Sequence, residues 1–257
     1  MKSFFLPVGH AAGLSLPTVL ASLSCGAARA VADLDILHIC DAEPESLLPA
    51  LVRDLNSDCP LFASSFRFEA FRPQLPSVTE LSSDPSSSAL IGALRGKGVP
   101  LSYKTDREAV EWAFASLLDS PDSLAPFSDW AGRIRSAVNA GKEEDKKVRV
   151  CLLCDLCDPF SAGAVFAILR NLHETVPDDT VFVSLLCLAK RSSPPTELEN
   201  RTLAETLRAM EEQHLVARPD EDSTAPVDAC WLVSLPSFLN QSEGSWRLEY
   251  VDRTSVV

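Results

Sequence analysis

Apolar residues gather in short unbroken runs, and between the runs lie longer stretches with helical spacing. The runs at 3–8, 34–40, 148–154, 180–188 and 229–235 are nearly continuous in Val, Leu, Ile, Phe and Cys. Strands covered on both faces of a parallel sheet lose polar alternation in this way. After a glycine turn at 9–13, helical spacing covers 14–31, where Leu16, Val19, Leu20, Leu23, Ala27, Ala30 and Val31 share one side. Pro17 then falls in the first turn, where a missing N–H does no harm. Further helices are expected at 45–55, 106–118, 128–140 and 198–213, with Gly141 as a C-cap, and an edge strand at 246–251. Strands alternating with helices of this length predict an α/β, Rossmann-like, mostly parallel sheet with helices on both faces. The Pro/Ser-rich stretch 73–88 is expected to be a flexible insertion in a single domain, 1–257.

One junction stands out. The run from Val148 breaks over Asp155-Leu-Cys-Asp-Pro-Phe-Ser-Ala-Gly163 and resumes with helical spacing through Leu172. A strand that feeds a helix through a tight loop aims unpaired N–H groups and the positive end of the helix dipole at one spot, the arrangement that holds phosphate. Only Gly163 lets the backbone approach an anion there, and Asp155 and Asp158 bring the wrong charge.

Composition narrows the partners. With Lys and Arg at 23 against Asp and Glu at 36, a net charge of −13 leaves no basic surface for a nucleic-acid backbone. Among the 8 cysteines, Cys151, Cys154 and Cys157 show C-x2-C-x2-C spacing, but no fourth ligand follows and the intervening residues are mostly leucines. Cysteine in such a strand behaves as a small hydrophobe, so no metal site is expected. The other cysteines show no disulfide framework, which fits a reducing, cytoplasmic setting. The segment ending Ala28-Arg29-Ala30 also mimics a secretory cleavage site, yet Pro7, Gly9, His10 and Pro17 interrupt the apolar stretch, and the strand-turn-helix reading is preferred. No uninterrupted apolar run is long enough for a membrane span. No Walker loop, G-x-G-x-x-G, H-E-x-x-H or G-x-S-x-G occurs, and the 4 histidines lack ligand spacing, so no catalytic residue is assigned.

In order, Leu6-Pro-Val-Gly-His-Ala-Ala-Gly13, Leu37-His-Ile-Cys-Asp41, Cys157-Asp-Pro-Phe-Ser-Ala-Gly-Ala164 and Glu199-Asn-Arg-Thr-Leu-Ala-Glu-Thr-Leu207 resemble successive loops of the nucleotide-binding half of the tubulin and FtsZ superfamily, especially its bacterial tubulin-like members. The third segment sits where that family has its GGGTGTG loop, and only Ser161, Gly163 and Ala164 are kept. The resemblance implies a nucleotide site at Gly9, His10, Ala11, Gly13, Asp41, Ser161, Ala162, Gly163, Glu199 and Arg201, with GTP or GDP as ligand and Mg2+ only alongside it. It further implies action through homo-oligomeric assembly or a protein partner. The lost threonine and paired glycines point to a degenerate GTP binder or pseudo-GTPase, and the stretch after Leu235 has no room for the family's central helix and hydrolysis-triggering loop. The alternative is an NAD(P)-dependent Rossmann-type oxidoreductase with Asp41 on a ribose hydroxyl. From Gly9 to Asp41 is longer than the usual separation of about 20 residues.

Overall fold

The computed structural model describes residues 2–16, 33–41, 65–76, 102–119, 124–142, 148–176, 181–190, 192, 194–215 and 226–235. Among the described residues six strands run parallel in one sheet: β1 (Lys2–Val8), β2 (Asp33–Ile39), β3 (Ser65–Phe71), β4 (Val148–Asp155), β5 (Val181–Lys190) and β6 (Ala229–Leu235). Their order across the sheet is β3-β2-β1-β4-β5-β6. The described helices are α1 (Arg107–Leu118), α2 (Ala125–Lys142), α3 (Pro159–Thr175) and α4 (Glu197–Glu212), together with a helical segment at 10–16.

The unbroken apolar runs have the predicted cause. On one face of the sheet Phe4, Leu6, Val8, Val150, Leu152 and Leu185 pack against α1 to α4, and on the other Phe5, Leu34, Ile36 and Leu153 pack against Ala12 and Leu16 of segment 10–16. Both faces are therefore covered by helix. Trp130 of α2 meets Phe4 edge-on at 5.9 Å, and Phe114 of α1 meets Phe160 of α3 at 5.5 Å. A bidentate ion pair fixes α2 to β2, with Arg133 Nε 2.6 Å from Asp35 Oδ2 and Nη2 2.9 Å from Oδ1.

Four expectations change in detail. Residues 65–71 form an additional strand, β3, at one edge of the described sheet. The glycine turn is a single residue: Gly9 takes φ +83, its carbonyl accepts the Gly13 N–H at 3.1 Å, and the helix starts at His10 instead of residue 14. The loop after β4 is only 156–158, because Asp158 caps the helix and Pro159 opens it, which puts Gly163 inside α3. Finally, α2 runs through Gly141 to Lys142. The helix expected at 45–55, residues 17–31 of the first helix, residues 77–88 of the insertion and the strand expected at 246–251 lie outside the described residues.

Candidate functional site

Strand order reverses between β1 and β4. From β1 the chain winds to β2 and β3 on one side, and β4, β5 and β6 lie on the other. Open parallel sheets bind ligands at such a switch point, outside the carboxyl ends of the strands. Here the two strand ends carry Gly9 after β1 and the Asp155–Ser161 junction after β4.

The junction's donors are mostly engaged within the chain. The first residue of α3, Pro159, has no N–H to give. The Ser161 N–H donates to the Asp158 carboxylate, 2.9 Å from Oδ2, and the Phe160 N–H dipole also favours the charged form of that carboxylate. Ala162 N–H, the next, donates to the Asp158 carbonyl at 2.9 Å. The end of α3 that would face a phosphate is thus closed by a carboxylate from its own chain, which also takes the favourable position for negative charge.

Ser161 completes the closure from behind. Its fully buried hydroxyl donates to the Val8 carbonyl at 2.6 Å and accepts the Asp155 N–H at 2.8 Å, joining the ends of β1 and β4. Asp155 Oδ1 accepts the Cys157 N–H at 3.0 Å. Gly9 leaves no space: an added Cβ would stand 3.0 Å from Ser161 Cβ and 3.2 Å from Asp158 Oδ2. Burial pushes the Asp158 carboxyl above its ordinary range, the Ser161 and Phe160 N–H groups act against the rise, and the nearby Asp41 charge adds to it. His10, exposed on the next residue after Gly9, acts against it too.

Of the residues assigned from sequence, Gly9, His10, Asp41 and Ser161 gather around Asp158. The others have different neighbours. Gly13 is pressed on the buried His38 ring, 2.4 Å from its Cε1 to the position of an added Cβ, and His38 Nε2 lies 3.1 Å from the Gly9 carbonyl. Ala11 accepts the Ser15 hydroxyl at 2.8 Å through its carbonyl. Ala162 is fully buried in α3. Gly163 faces α1, where an added Cβ would lie 2.4 Å from the Arg107 carbonyl oxygen.

Glu199 is the third residue of α4 and closes a capping box with Thr196. Its carboxylate accepts from Thr196 N at 2.6 Å, Ser192 N at 2.9 Å and the Ser192 hydroxyl at 2.6 Å. Burial alone would raise this carboxyl, but the hydrogen bonds from Ser192 and Thr196 bring it down to about 2. Arg201 Nη2 donates to the Thr105 carbonyl at 3.0 Å, tying α4 to the chain before α1. The residue that sequence reasoning undervalued is Asp158, taken there only as misplaced charge. Its signal was Asp-Pro ahead of an apolar helix, the pattern of an N-cap followed by proline in the first turn.

The cysteines do not converge as their spacing suggests. Cys151 packs on one face of the sheet and Cys154, three positions on, packs on the other, as odd and even strand positions must. Across strands, Cys154 Sγ lies 4.0 Å from Cys187 Sγ, which lies 3.7 Å from Cys230 Sγ. Burial pushes the Cys151 thiol to about 11; the Cys187 thiol is raised by Cys154 and by burial against the opposing effect of Cys230, and the Cys230 thiol is raised by Cys187 and by burial. Among the described residues no group of three or more His, Cys, Asp or Glu side chains is placed to hold a metal ion. No described helix is long and apolar enough to cross a membrane.

No protein-family model matches the chain, and no curated protein matches it. Solved structures do. TubZ of Clostridium botulinum phage c-st is similar with a TM-score of 0.46 at 11% identity, over 91% of this chain and 52% of TubZ. CetZ from Methanosaeta thermophila gives 0.44 at 11% identity, over 95% of this chain and 48% of CetZ. A bulky-bulky ketone specific alcohol dehydrogenase from Comamonas testosteroni gives 0.32 at 10% identity, over 87% of this chain and 88% of the dehydrogenase. The chain spans about half the length of the TubZ and CetZ structures it matches.

Proposed function

We propose that this chain is a tubulin/FtsZ-like domain of nucleotide-binding type in which Asp158 occupies the place of a phosphate, so that it acts by assembly or protein contact and not by GTP turnover. The observation that carries this reading is the donor inventory at the start of α3: proline first, the Ser161 N–H on the Asp158 carboxylate and the Ala162 N–H on the Asp158 carbonyl. A triphosphate has to displace that carboxylate and meet the charges of Asp158 and Asp41 together. The helix dipole offers only about 0.3–1 kcal/mol to an exposed anion, against about 8 kcal/mol for micromolar affinity. Mg2+ enters this reading only with a nucleotide, and a reducing cytoplasmic setting remains the reading of the cysteines.

One observation favours a second reading. The strand order is that of dinucleotide-binding domains, and Asp41 follows β2 where such domains hold a ribose hydroxyl. An NAD(P)-dependent oxidoreductase is therefore the alternative. A thermal-shift panel of GTP, GDP, ATP, NAD and NADP with Mg2+ separates the two. A ligand at a hundredfold its dissociation constant stabilises the folded state by about 2.7 kcal/mol, which is about 5–10 °C for a chain of this size. No shift with any of the five is expected. A shift with GTP or GDP overturns the closed-site reading, and a shift with NAD or NADP alone establishes the alternative.

A further inference from the structure

We draw no further inference here: the strongest candidate, the apolar strip that Phe182, Leu186, Trp231 and Val233 form on β5 and β6, with Phe182 40% and Trp231 36% exposed, carries nothing because nothing in the structure shows what covers it.

Discussion

Substituting alanine for glycine should have opposite effects at two helical positions. At Gly163 an added Cβ would lie 2.4 Å from Arg107 O, 2.7 Å from Val110 Cβ and 2.9 Å from Glu111 N. Two of these atoms are backbone, so relief requires α1 to move away from α3. That movement is resisted by the Phe114–Phe160 contact and by the Arg107 guanidinium, which lies 4.8 Å from the Phe166 ring centroid. Overpacking costs about 1–3 kcal/mol, and a rigid helix pair belongs at the upper end. Helix propensity returns about 1 kcal/mol to alanine. The net loss for Gly163→Ala is about 2 kcal/mol, which lowers Tm by about 4–8 °C. At Gly132 in α2 the nearest atom to an added Cβ is Arg135 Nη2, at 3.9 Å. Gly132→Ala keeps the propensity gain and raises Tm by about 2–4 °C. Thermal and urea denaturation of both variants beside the wild type measure the pair. A Gly163→Ala protein as stable as the wild type would refute the packing assigned to α1 and α3.

Further outcomes follow from single contacts. Ser161→Ala strands the Asp155 N–H and the Val8 carbonyl and should destabilise by about 2–4 kcal/mol in urea, with an unchanged midpoint counting against the bridge between β1 and β4. Arg133→Ala leaves Asp35, 3% exposed, without its partner and should cost about 3–5 kcal/mol, most of it recovered when Asp35→Ala is added in a double-mutant cycle. Glu199→Ala should cost about 1 kcal/mol at pH 7 by urea denaturation. Since the folded carboxyl lies near 2 and its ordinary value is 4.5, the contribution is full above the ordinary value and is lost as pH falls through the folded one. The gap between wild type and Glu199→Ala should therefore narrow across that acid range, and a constant gap would argue against the capping role.

The sheet was legible because its signal is local. Strands buried on both faces must be apolar at odd and even positions alike, as Phe4, Phe5 and Leu6 are. The edge strand escaped because Phe66-Arg-Phe-Glu-Ala-Phe71 alternates, with Arg67 and Glu69 forming an exposed pair at 3.4 Å, and lacks the continuous run that marked its neighbours. Around the site, sequence located the junction, while the close contacts of its glycines were not legible. Gly163 looks like a loop residue next to Ser161 and Ala162, and its purpose depends on α1, more than forty positions earlier in the chain. Glu199 was assigned to a ligand, although Thr196-x-x-Glu199 is a capping box visible in the sequence. The engagement of Ser161 by Val8 is a contact across 153 positions, which no local pattern encodes.

Titration calorimetry of the wild-type chain with GTP and Mg2+, with phosphate release followed in the same samples, tests the closed phosphate position most directly. No binding heat at micromolar ligand and no phosphate release are expected, because the Ser161 and Ala162 donors are already taken by the Asp158 carboxylate and carbonyl. Low-micromolar binding, or steady release of phosphate, would contradict it.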